Sequence, residues 1–132
     1  MKKRLTISNN IAINMKQIIL FLFLSPLFGY AQIGCNNLPL NYSTYNKALS
    51  SVKGAKFSYV DNINTSRSSF ITIASYYSCD GRSGFLIIGL QNREYIHKNL
   101  PKTIWMQLKQ ASSLGTFYNQ YIRGRYTLVL KN

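Results

Sequence analysis

The chain has almost no negative charge. Asp61, Asp80 and Glu94 are its only acids, against sixteen lysines and arginines, for a formal net charge of +13. No two of these carboxylates are adjacent in sequence, which leaves little for paired-carboxylate chemistry. Histidine is scarcer still, with His97 alone. A serine–histidine–aspartate arrangement would have to combine His97 with Asp61 or Asp80, and the nucleophile-elbow pattern is missing. One histidine, two cysteines and three acids, spread without ligand spacing, do not supply a metal site. A thiol site pairing Cys79 with His97 would require reduced cysteines. These shortages point to a protein that is not an enzyme, holds no metal and uses no cofactor.

Long hydrophobic runs are missing as well. The most apolar block, residues 17–29, is interrupted by Pro26 and falls short of the ~20 residues that a spanning helix needs. Lys16 precedes it, Lys2, Lys3 and Arg4 stand upstream, and it ends in Gly29-Tyr30-Ala31, small residues at the positions a signal peptidase reads. Residues 1–31 are therefore expected to be a secretory signal cleaved before Gln32, with translation starting at Met1 or at Met15. Two alternatives stay open. One is an uncleaved anchor; the other is lipidation of Cys35, because Ile33-Gly34-Cys35 matches the end of a lipobox whose usual leucine is replaced by Gln32. The expected location is periplasmic or secreted, with no transmembrane span in the mature chain.

Four of the sixteen cations lie in residues 1–31, so the mature chain keeps twelve against three acids, a net charge of +9. The ten tyrosines and seven phenylalanines of the full chain, with few charges overall, argue for a folded domain rather than disorder. A surface of this sign suits an anionic partner: nucleic acid, acidic glycan, lipid headgroup or protein. The two cysteines, in an exported chain, read as one disulfide between Cys35 and Cys79, joining the new N-terminus to a hairpin tip. Two buried thiols are the alternative.

Residues 36–42 contain turn formers and Pro39 and read as a tether. Tyr45, Ala48, Leu49 and Val52 recur at helical spacing, with Ser43 or Thr44 as cap and Gly54 as stop. Residues 56–60 suggest a short strand and residues 61–69 a polar loop. Residues 70–78 and 84–91 are rich in β-branched and aromatic residues around Asp80-Gly81, and residues 93–98 follow a turn at Asn92. A three-stranded antiparallel meander results, in which Arg93, Tyr95 and His97 share one face of the last strand. Pro101 ends the sheet and opens a helix whose apolar stripe is Ile104, Leu108 and Ala111, with Trp105 beside it. Thr116 caps a second short helix containing Phe117, Tyr118, Tyr121 and Ile122, Gly124 ends it, and residues 126–130 return as a strand. The fold class is α+β: a small antiparallel sheet, a meander plus short extra strands, with two or three helices packed on one face.

The second half of the chain resembles the KTSC domain, a module of about sixty residues named after the C-terminus of some lysyl-tRNA synthetases. Tyr95-Ile96-His97 stands where that family has Tyr-x-Tyr, Leu100-Pro101 where it has Val-Pro, and Ala111 to Gly115 where its helix ends. Phe117, Asn119, Ile122, Arg123 and Tyr126 match its closing motif. The resemblance covers residues 68–128, preceded by an extension of residues 32–67. It departs from the family at His97, which replaces the second tyrosine. It implies the α+β fold and makes RNA one candidate partner, although an exported copy would not meet tRNA.

Two readings of the aromatic segments remain. Arg93, Tyr95 and His97 could stack on and bind a ligand, as aromatics on RNA-binding sheets do. The same rings could instead be core beneath the helix carrying Trp105. In residues 116–126, Phe117 and Ile122 read as packing residues, while Arg123, Arg125 and Tyr126 join the candidate ligand-binding set. The alternative function is a small enzyme, or enzyme-associated factor, using His97 and nearby arginines.

Overall fold

Strands β1 (Tyr59–Asn62), β2 (Ile71–Ser78), β3 (Ser83–Leu90) and β4 (Arg93–Pro101) form one antiparallel sheet in chain order. The computed structural model describes residues 29–132. The leader expected over residues 1–31, and its start codon, lie outside the described residues, apart from Gly29, Tyr30 and Ala31. Helix α1 (Tyr45–Gly54) precedes the sheet, and α2 (Lys102–Gln110) and α3 (Leu114–Phe117) follow it. α3 runs on into a wider π turn, Tyr118–Ile122. The α+β class read from the sequence is the class observed. No helix among the described residues is long and apolar enough to cross a membrane.

The sheet is covered on both faces, not one. In β3 the consecutive residues Leu86, Ile87 and Ile88 are all buried. Side chains alternate across a strand, so a buried run of this kind means both sides are packed. Leu86 and Ile88 enter one core with Tyr76 of β2 and with Trp105, Leu108, Leu114, Tyr118 and Ile122 from α2, α3 and the π turn. Ile87 and Ile96 enter a second core with Ala48 and Val52 of α1, Tyr42 and Leu128. Residues 32–67 thus supply both an edge strand and a covering helix.

Local chemistry explains the element ends. Thr44 accepts the Lys47 N–H at 3.2 Å and caps α1. Ser113, not Thr116, caps α3: its hydroxyl oxygen accepts the Thr116 N–H at 3.3 Å. β1 starts later than expected and runs through Asp61 and Asn62, residues first assigned to the loop. The strand tolerates Asp61 because the Trp105 indole N–H (2.8 Å) and the Lys109 ammonium (2.6 Å) both donate to its carboxylate. Trp105 is the centre of its helix's buried face rather than a neighbour of the stripe; it is fully buried and stacks on Tyr76 at 5.3 Å. Residues 126–130 do not form a strand. They touch β4 at Thr127–His97 and then leave it for Tyr42, which pairs with Leu130.

The disulfide joins Cys35 and Cys79, with Cα atoms 5.9 Å apart. It anchors the 3-10 turn Cys35–Asn37 to the β2–β3 turn. The Cys35 sulfur is thereby bonded to Cys79 and offers no thiol to a lipid.

One buried group in the second core is unmatched. Tyr42 is 4% exposed, and its hydroxyl has no hydrogen-bond partner among the described residues. Burial pushes its pKa up. A hydroxyl that loses water and gains nothing opposes folding. Tyr42→Phe is expected to raise stability by about 1 kcal/mol in urea unfolding; a loss of stability would mean that the hydroxyl is bonded in solution.

Candidate functional site

β4 is the last strand of the sheet, and its N-terminal half lies between two grooves. A two-residue turn, Gln91-Asn92, sets its start, with Leu90 paired to Arg93. Gln91 has φ of 55°, a left-handed conformation uncommon outside glycine, asparagine and aspartate. One groove, about 490 Å³, is lined by Arg93, Tyr95 and His97 together with Phe70, Tyr118 and Arg123. The other, about 760 Å³, lies towards α1 and is floored by Leu49, Ile96 and Leu128. Four of the six candidate ligand-binding residues therefore meet in the smaller groove. Arg123 reaches it from the end of the π turn, where Gly124 at φ 77° reverses the chain.

The other two do not line it. Arg125 is exposed beyond the turn. Tyr126 lends its ring to the margin of the core, and its carbonyl accepts the Lys98 N–H at 3.1 Å. The two readings of the aromatic face divide by residue: His97 is buried, whereas Tyr95 is 42% exposed at the groove's rim. In residues 116–126, Tyr118 and Ile122 are core, Tyr121 is largely outside, and both arginines are exposed.

His97 has both ring nitrogens occupied. Nδ1 lies 3.2 Å from the Tyr126 carbonyl oxygen and Nε2 lies 3.1 Å from the Tyr118 hydroxyl. A carbonyl can only accept, so Nδ1 carries the proton and the Tyr118 hydroxyl donates to Nε2. Burial pushes the imidazole below its ordinary value of 6.5, against the opposing effect of the Tyr126 carbonyl. The folded protein therefore holds His97 neutral where the unfolded chain would protonate it. The stability this represents is complete above the unfolded value and is lost as pH falls through it towards the folded value. Thermal midpoints are expected to drop as pH falls below the ordinary imidazole value of about 6.5, and the drop should shrink in His97→Gln. An equal drop in both proteins would assign it to other groups.

The groove's charge is unopposed. Neither the Arg93 nor the Arg123 guanidinium has a hydrogen-bond or ion-pair partner among the described residues, and each acid of the chain is engaged elsewhere. Asp61 holds Lys109 and Trp105; burial raises its pKa, but these hydrogen bonds outweigh it and hold the carboxyl below its usual range. Asp80 accepts the Arg82 and Ser83 N–H groups in the hairpin turn, which lower its pKa. Glu94 is paired with Lys53 at 2.5 Å, on the α1 side of the sheet. No cluster of three metal-ligating side chains occurs among the described residues.

Sequence reasoning missed several contributors. Phe70 read only as a strand residue and Tyr118 only as part of a short helix, although both line the groove. Arg67 read as loop, but its guanidinium donates to the Ala111 carbonyl at 2.5 Å and the Lys109 carbonyl at 3.3 Å, closing the C-terminal end of α2. Nothing in the local pattern announces such a long-range contact.

Comparison with curated proteins and with solved structures returned no match. The family model of the KTSC domain matches residues 82–126. The match is shorter than the stretch whose motifs resemble the family. It runs from the β2–β3 turn through the π turn and contains all six candidate residues, while α1, β1 and β2 lie outside it. The chain carries a KTSC domain.

Proposed function

We propose that this is an exported, non-catalytic interaction module that binds an anionic group of its partner in the Arg93–Arg123 groove. The observation that carries the reading is the convergence of two guanidiniums, thirty residues apart in sequence and without a partner among the described residues, on a groove from which every acid of the chain is diverted. Exposed Tyr95 adds a flat apolar surface beside them. Nucleic acid, an acidic glycan, a lipid headgroup and an acidic protein all offer the required charge. The disulfide is compatible with an oxidising compartment. The bonded state of both His97 nitrogens favours a positioning role for that ring over proton transfer, which argues against the enzyme alternative.

The test is a pair of double mutants with equal charge loss. Arg93→Ala with Arg123→Ala is compared with Lys56→Ala plus Lys131→Ala, two exposed lysines away from the groove. Binding is measured to a sulfated oligosaccharide, a single-stranded oligonucleotide and anionic lipid vesicles at physiological salt. The arginine pair should weaken binding of the true partner class about tenfold or more, as expected for lost charge-assisted hydrogen bonds. Equal, salt-sensitive losses in both mutants would leave only a basic surface.

A further inference from the structure

We infer that the Tyr118 hydroxyl is a third anion donor of the Arg93–Arg123 groove, released for that role when His97 takes up a proton. Anion and proton then bind the site together. The inference rests on the anion-binding reading above and adds to it a ligand-binding residue and a pH dependence.

The donors and acceptors around one buried ring lead to this. His97 and Tyr118 both line the smaller groove, beside Arg93, Tyr95 and Arg123. With the ring neutral, Nδ1 donates to the Tyr126 carbonyl and Nε2 accepts from the Tyr118 hydroxyl, so every polar hydrogen is placed. His97 is that hydroxyl's sole hydrogen-bond partner among the described residues. A protonated ring donates from both nitrogens. Nδ1 keeps the Tyr126 carbonyl, but the Nε2 hydrogen now points at the Tyr118 oxygen, which has to accept it. The phenolic hydrogen is left without a protein acceptor, and the groove is the open space that both rings line. A buried donor without a partner is costly, and an anion seated between the arginines supplies the acceptor.

Charge works in the same direction. Around His97 the π turn and its end bring Tyr118 and Arg123, β4 brings Arg93 and Tyr95, and the C-terminal segment brings the Tyr126 carbonyl and Thr127. Across the sheet, β3 brings apolar Leu86. No acid is among them. Burial disfavours an imidazolium here, and an anion in the groove supplies the opposite charge that the empty site lacks. Tyr118 itself stays protonated: burial pushes its pKa up, against the charge of Arg123, the side chain that would also hold the anion. A proton that strengthens anion binding is itself held more firmly once the anion is bound. Affinity should therefore rise as pH falls below about 6.5, the ordinary imidazole value. Lysines and arginines alone give no such dependence, because their charge is constant there. Asp61 and Asp80 are held below the usual carboxylate range and are ionised on both sides of that value.

The experiment titrates inorganic sulfate, divalent at every pH used, into the protein at constant ionic strength. Amide shifts at Arg93 and Arg123 report binding, and the ring signals of His97, the chain's sole histidine, report proton uptake. Affinity should rise about tenfold or more as pH is taken from above to below the imidazole value, and His97→Gln should abolish the rise. The proton affinity of His97 should increase by the same factor in saturating sulfate. Tyr118→Phe should match the parent above that pH and fall behind it below, a split that a merely structural tyrosine would not give. A His97 titration that sulfate leaves unmoved, or a Tyr118→Phe profile parallel to the parent's, overturns the inference. Sulfate binding that still depends on Arg93 and Arg123 would then leave the anion site standing. Sulfate that ignores the groove at every pH also overturns the inference, and the polyanion measurements on the arginine pair decide the anion reading separately.

Discussion

Replacing Cys79 with Ala is expected to lower the unfolding free energy by about 4 kcal/mol, the chain-entropy value for a loop of this size. The bond spans 44 residues and closes a loop that contains α1, β1 and β2. Without it, the N-terminal segment retains the Cys35 N–H to Lys56 carbonyl bond and its reciprocal from Lys56 to Ile33. Two backbone hydrogen bonds contribute about 2 kcal/mol net, too little to hold a chain end as firmly. Against a total stability of roughly 5–15 kcal/mol for a domain, the loss is large. Urea unfolding of the oxidised protein, the reduced protein and Cys79→Ala measures it. The reduced protein and the mutant should share one lowered midpoint, and alkylation of the oxidised protein should find no thiol. An unchanged midpoint after complete reduction would show that the cross-link adds nothing to folding.

Trp105→Ala is expected to cost about 3–5 kcal/mol, the range for a fully buried aromatic truncated to a methyl group. The residue does two jobs that separate variants can divide. Its ring stacks on Tyr76, whose hydroxyl donates to the Leu100 carbonyl at 2.9 Å. Its indole N–H donates to Asp61, so that α2 is fastened to β1 across the sheet. Trp105→Phe keeps much of the packing but leaves the half-buried carboxylate with Lys109 and Tyr59 as side-chain donors. A loss of about 1–3 kcal/mol is expected, since the acceptor is charged. Asp61 titrates below its usual range, so this contribution is present above pH 3.8 and disappears as pH falls through the folded value. Denaturant midpoints of both variants at neutral pH, and again near pH 3, test this. A Trp105→Phe protein as stable as the parent would remove the indole–carboxylate bond from the account.

Much of the fold was legible because its signals are local. The spacing of Tyr45, Ala48 and Val52 specified α1, Asp80-Gly81 the hairpin turn, and the β-branched runs their strands. The failures were also of one kind. Residues 126–130 have strand composition, yet the segment changes partner from His97 to Tyr42, and composition does not encode a partner. Asp61 looked like loop because its donors, Trp105 and Lys109, lie more than forty residues away. Placing helices on one face overlooked the uninterrupted buried run of β3, which needed a cover on each side.

The sequence by itself determined the charge, the cysteine pair, the strand and helix content and the resemblance to the KTSC family, because composition and short-range periodicity carry these. Only the tertiary structure decided what the arginines could do. Arg93, Arg123 and Arg125 are indistinguishable as basic residues, but the Gly124 turn carries Arg123 to the groove beside Arg93, and Arg125 stays outside. The same packing put Tyr95 at the rim and His97 in the interior, although the two occupy the same strand face. Strand alternation can assign a side; the distance to the next packed element, the π turn carrying Tyr118, decides which residue on that side is buried.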